Sequence, residues 1–239
     1  MATLPDRILF TLPQYFQGVL GTNAMGSGLR LLPLIGGVIA GAVPAAQIAR
    51  LAGATITVTA GFTLLSAGLV AGATTSVGAS GLFVAAWMAV AGTGTGLAMA
   101  TATSAALGGL TEERSGVGSA VLQAVNKAGG PFGIAILGSV LSAGYLARLD
   151  VTGQSAPLAA AVRQSVFDGV AVARQIGSAP LLASVQAAFV HGMDQALLVS
   201  AGVSLAGVAL TLTFLPGSSV PQVATLAPAD EEPDVVPAR

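Results

Sequence analysis

The stretch LFVAAWMAVAGTGTGLAMATATSAAL, residues 82–107, holds no Lys, Arg, Asp or Glu. It is long enough to cross a bilayer, because about 20 apolar residues rising 1.5 Å each traverse roughly 30 Å of hydrocarbon. Backbone polar groups in hydrocarbon must pair within their own segment, which leaves helix as the reading. The alternation expected of a barrel strand is missing. Four further stretches repeat the signal, at about 29–48, 54–73, 117–146 and 189–215, each with at most one or two charges. A sixth apolar stretch, Ile8–Leu20, is too short for a normal span and contains Pro13 and Gln14. It reads either as the end of a helix whose beginning is missing or as an interfacial segment. The expected fold is therefore all-α: a polytopic membrane helix bundle over residues 1–215, with five full spans and one partial one at 8–20.

Composition says the same. Of 239 residues, 54% are hydrophobic and 8% charged, against roughly 25% charged in a soluble domain. Mean hydropathy is +0.83. The natural partner of such a chain is a lipid bilayer. A net charge of −1, with no basic stripe and no aromatic platform, excludes nucleic acid. The absence of cysteine excludes disulfides, thiolate metal sites and a cysteine nucleophile. No paired-carboxylate metal motif, zinc spacing or nucleophile elbow occurs, so neither an enzyme nor a cofactor is expected.

Between the fourth and fifth full spans lies a long connection, 147–188. Within it Leu158, Val162, Val166 and Val170 recur every fourth residue. That spacing predicts one face of an amphipathic helix, lying on the membrane surface. The tail, 216–239, is Pro-rich and acidic and reads as disordered. The connection Gly108–Gly116 carries Glu112, Glu113 and Arg114, which suit either helix capping or a hinge between spans. Trp87 and Tyr145 read as interface markers or packing residues.

Lipid is as apolar as leucine, so helices in a bilayer associate through close packing of small residues. Four glycine pairs have the spacing for it: Gly37/Gly41, Gly68/Gly72, Gly92/Gly96 and Gly129/Gly133. Three prolines, Pro33, Pro44 and Pro131, fall within spans and permit bends.

Two polar clusters interrupt the apolar runs. Gln123, Asn126 and Lys127 lie inside the fourth full span. Either they line a cavity, since a membrane-buried charge is a functional candidate, or Lys127 snorkels to the headgroups. His191 and Asp194 open the last span one turn apart. A proton relay is one reading, since histidine titrates near neutral pH; an interfacial capping cluster is the plainer one.

Several motifs, in order, carry a resemblance. Leu12-Pro13-Gln14-Tyr15-Phe16-Gln17 precedes Val19-Leu20-Gly21, and Gly28-Leu29-Arg30-Leu31-Leu32-Pro33 follows. Glu113-Arg114-Ser115-Gly116-Val117-Gly118 precedes Asn126-Lys127-Ala128-Gly129-Gly130-Pro131-Phe132-Gly133, and Ala188-Phe189-Val190-His191-Gly192-Met193 comes last. This order resembles the C-terminal half of a major facilitator superfamily transporter, closest to the fourteen-span drug:proton antiporters of the EmrB/QacA type. The resemblance implies a multi-pass protein of the bacterial inner membrane, exporting hydrophobic or cationic small molecules against an inflow of protons. It implies a cavity-lining role for Gln123, Asn126 and Lys127. It places 147–188 outside the cell and the tail in the cytoplasm. The family's first eight spans have no counterpart here, and Asn126-Lys127 shifts the family's basic group by one position. Transport then calls for a partner chain supplying the N-terminal half, or for a homodimer. The alternative is a truncated, membrane-embedded remnant, or a binding or regulatory protein without transport of its own.

Overall fold

The computed structural model describes residues 24–76, 78–108 and 112–214. The partial span at 8–20 and the tail at 216–239 lie outside the described residues. Seven helices follow one another: α1 Ala24–Ala52, α2 Ala54–Gly72, α3 Gly81–Gly108, α4 Glu112–Arg148, α5 Ala156–Gln164, α6 Val166–Gln175 and α7 Ala179–Phe214. Among the described residues there is no strand. Five stretches are long and apolar enough to cross a membrane: Leu31–Ala52, Ala54–Gly72, Gly81–Gly108, Gly116–Arg148 and Ala179–Phe214. The chain is an all-α polytopic helix bundle.

The span starts and ends follow local chemistry. Gly53 alone separates α1 from α2, at φ 89°, a backbone conformation that side chains resist. Ser80 Oγ accepts from Phe83 N at 3.2 Å and starts α3. Ser178 Oγ accepts from Leu181 N at 3.4 Å and starts α7 ten residues before the expected boundary at Phe189. Hydropathy sees only the apolar part of a helix, and α7 continues past it. The acidic connection also differs from expectation: Glu112, Glu113 and Arg114 belong to the first turn of α4 rather than to a loop.

The long helices pack in a row, with α3 between α1 and α2, α2 between α3 and α7, and α7 between α2 and α4. Glycine sets the contact of α1 with α3. A Cβ built on Gly37 would lie 2.3 Å from the Ala89 carbonyl oxygen, and one on Gly41 would lie 2.1 Å from that of Thr93. The opposite face answers: Gly92 and Gly96 lie against the carbonyls of Leu34 and Val38, at 2.3 and 2.1 Å. The two helices run parallel with their backbones touching. Thr93 and Thr95, between those glycines, donate their hydroxyls to Ala89 O and Ala91 O at 2.8 and 2.9 Å, so they present no unpaired donor to lipid. Gly68 and Gly72 serve the antiparallel contact of α2 with α3, against Ala91 and the Trp87 ring. Between α2 and α7, Ser66 Oγ donates to Ala201 O at 3.3 Å and Ser204 Oγ donates to Phe62 O at 3.0 Å. Such cross-helix bonds contribute about 0.6 kcal/mol each in a bilayer.

The fourth glycine pair behaves differently. A Cβ on Gly129 or Gly133 would meet nothing within 4 Å. From Gly116 to Gly138 no described residue of α4 is buried, and α4 meets α7 further on, at Leu141, Gly144 and Tyr145.

The amphipathic stretch is two helices, not one. Ser165 is extended, at φ −159° and ψ 156°, and breaks the pattern between Val162 and Val166. Its hydroxyl accepts from Asp168 N at 3.1 Å and donates to Asp168 Oδ2 at 2.7 Å, which caps α6. Val162, Val166 and Val170 are buried with Tyr145, Ala173, Leu181, Val185 and Ala188. That apolar face is therefore spent on a protein core instead of on headgroups. The Tyr145 hydroxyl donates to Val162 O at 2.8 Å, so the buried phenol is satisfied. Helices α5 and α6 thus form a cap tying the end of α4 to the start of α7. Asp150 N donates to Ser184 Oγ at 3.0 Å and adds a second tie. Thr152 donates to Asp150 from both its hydroxyl and its N–H, which holds that exposed carboxyl below the usual carboxylate range.

Ser165→Ala removes the α6 cap and is expected to cost about 1 kcal/mol. Amide hydrogen exchange should accelerate over residues 166–170 while α3 stays protected. Unchanged exchange in α6 would show that the cap contributes nothing.

Candidate functional site

At the end of the bundle that carries the cap, three elements line an open cleft of about 410 Å³. The connection from α2 to α3 contributes Thr74, Thr75 and Ser76, the end of α4 contributes Arg148, and the fourth and fifth turns of α7 contribute His191 and Asp194. His191 and Asp194 share the pocket because three residues carry a helix through most of a turn. The chain reaches Thr75 and Arg148 only by folding, and no spacing in the sequence pairs them with His191.

The polar groups of this pocket are unevenly served. Asp194 Oδ1 and Thr75 Oγ1 are buried without a hydrogen-bond partner. Burying an oxygen without a partner costs about 1–3 kcal/mol, so each invites a donor from the cavity. Arg148 is exposed on the rim and makes no ion pair with Asp194. His191 Nε2 lies 3.1 Å from Gln195 Nε2. An amide nitrogen only donates, so this ring nitrogen accepts and the imidazole proton is assigned to Nδ1. Gln195 in turn fills the space left by a glycine: a Cβ on Gly144 of α4 would lie 2.7 Å from Gln195 Oε1. Gln195 was legible as the residue one turn after His191, and Gly144 only as one glycine among 32.

The second polar cluster is elsewhere. Gln123 and Lys127 lie four residues apart on α4, on one strip of the helix, and both are exposed. Asn126 lies on the same helix. Lys127 is separated from Arg148 by about 30 Å along α4, at 1.5 Å per residue, with Pro131 in between. The structure therefore keeps the two polar clusters apart, the first in a pocket shared by three elements, the second on an open helix face.

No family model matches the chain. Its sequence is similar to that of the multidrug transporter protein MdtP of Bacillus subtilis (strain 168), with 29% identity over 131 residues. The match covers 55% of this chain and 24% of that protein, so the chain corresponds to about a quarter of its relative's length.

Proposed function

We propose that the chain is the C-terminal part of a proton-driven exporter of the major facilitator type, handling hydrophobic or cationic small molecules in a bacterial inner membrane. The observation that carries this reading is the joint one: five apolar spans, and 29% identity to a multidrug transporter over 131 residues. A cavity in such a protein needs two walls that rock against each other. This bundle is one wall. The other comes from N-terminal spans or from a second copy.

Helix α4 supports that role. Between Gly116 and Gly138 none of its described residues is buried, and Lys127 stands there on one strip with Gln123. A cation inside a span is costly unless it faces water or a counter-charge. In this reading Gln123, Asn126 and Lys127 face the transport cavity. His191 and Asp194 relay protons at the capped end, which lies outside the cell, and the α1–α2 turn at Arg50 lies in the cytoplasm.

The test is efflux of a fluorescent lipophilic cation from proteoliposomes under a proton gradient. The chain is reconstituted alone and with the N-terminal spans of a fourteen-span exporter. Efflux should require both chains and the gradient, and Lys127→Leu should slow it about tenfold, equivalent to 1.4 kcal/mol. The second reading is a membrane-embedded binding or regulatory protein without transport of its own. It holds if the two-chain vesicles lose dye no faster than empty ones.

A further inference from the structure

We propose that the pocket between the α2–α3 connection, Arg148 and α7 is an aqueous proton-binding site in which Gln195 passes the charge state of His191 to helix α4. It deepens the relay reading given above, and it rests on the pocket's geometry.

The cavity supplies the path, since His191 and Asp194 both line it. Hydronium gives its proton to the lone pair of His191 Nε2, leaving water in the cavity and an imidazolium on α7. That lone pair is the one that accepts the Gln195 amide at 3.1 Å. Once protonated, Nε2 only donates. The Gln195 amide then faces a donor with a donor, and the repulsion is relieved by turning its oxygen towards the ring. That oxygen now sits in the notch at Gly144, where a Cβ would lie 2.7 Å from it. Turning it away puts the amide NH2 group against α4 instead. One protonation thus changes what α7 presents to α4, at a point where the two backbones are close: a Cβ on Gly192 would lie 2.4 Å from Leu141 O.

Three charges tune the site. Asp194 on the same helix favours the imidazolium, and Asp194 Oδ1 has no other donor. Arg148 of α4 faces the same cavity and opposes it. The other titratable group of α4 near α7 is Tyr145, whose hydroxyl is committed to Val162 O. Helix α2 carries no charged residue, and the α2–α3 connection offers only hydroxyls. Asp168 and Arg174 of α6 do not line the pocket.

The chain has one histidine, so a single imidazole signal reports this site. The full chain, purified on a histidine-free tag with 13C-labelled histidine, is placed in lipid nanodiscs and titrated by NMR over about pH 5 to 8. Asp194→Asn should lower the midpoint by about half a pH unit or more, and Arg148→Gln should raise it, because a carboxylate stabilises the imidazolium and a guanidinium opposes it. Gln195→Leu removes the oxygen that turns to accept from the imidazolium, a charge-assisted bond stronger than the one to the neutral ring, and should lower it. Opposite movements for Asp194→Asn and Arg148→Gln are the signature of three charges in one pocket. Midpoints that stay put, or move the same way, overturn the site. Arg148 is exposed, so its variant decides alone if Asp194→Asn does not fold. The titration needs no transport: a flat result leaves the efflux reading standing, and failed efflux leaves a shifting midpoint standing.

Discussion

Gly41→Ala lowers the thermal stability of the detergent-solubilised chain by about 10 °C, whereas Gly36→Ala, the same change five residues earlier, leaves it level or slightly higher. The reason lies on α3. A Cβ on Gly41 would lie 2.1 Å from Thr93 O, 2.9 Å from Leu97 N and 3.0 Å from Thr93 C, all backbone atoms that no rotamer can remove. A carbon approaches a carbonyl oxygen comfortably at about 3.3 Å, so the helix axes must part by about 1 Å. Helix α3 has no room to retreat. Its Gly94 presses on α2, where a Cβ would lie 2.4 Å from Leu65 N and 2.5 Å from Gly61 O. The strain therefore spreads through three helices, and overpacking of this kind costs about 3 kcal/mol. A Cβ on Gly36 meets nothing within 4 Å, so that variant gains only the helix preference of alanine, up to about 1 kcal/mol. Size exclusion after a temperature ramp separates the two. Equal melting of both variants would mean that α1 and α3 are not in backbone contact.

This contrast shows how far residue spacing carries. Gly92/Gly96 and Gly129/Gly133 are the same pattern in sequence, yet the first meets α1 and the second meets open space. Spacing states which helix face is able to approach a neighbour. Only the fold decides whether a neighbour is there. The spans themselves were legible because lipid leaves the backbone one solution, and only their ends moved, as at α7, where a serine cap rather than hydropathy sets the start. The break in the 158–170 stretch was not legible. Residues four apart keep their period on both sides of Ser165, and a single extended residue does not disturb the count. The pocket was half legible. His191 and Asp194 are sequence neighbours, but Thr75 and Arg148 arrive from other elements, and those two turn a helix entrance into a shared cleft.

The second large effect is expected in the cap. Val185 of α7 is fully buried, and its methyl groups face Gly169 of α6, where a Cβ would lie 3.2 Å from both. The Tyr145 hydroxyl stands 3.0 Å from the same point. Val185→Asp places a carboxylate among Tyr145, Val162, Val170 and Leu181, where nothing charged answers it. An unpaired buried charge costs several kcal/mol, more than two short helices of nine and ten residues hold in reserve. The cap should detach while the row of long helices stays intact, because no residue of α1, α2 or α3 belongs to the cap's core. Trypsin reads the difference, since α5 and α6 carry Arg163 and Arg174 in their last turns. In Val185→Asp both sites should be cut at least tenfold faster than in the parent, a change of about 1.4 kcal/mol in local opening. Tyr145→Phe provides the graded comparison. It removes one hydrogen bond and leaves the packing, so it should cost about 1 kcal/mol and speed cleavage only modestly. Cleavage of Val185→Asp at the parent rate would mean that α5 and α6 are not held by this core. The amphipathic valines would then be free to lie against lipid after all.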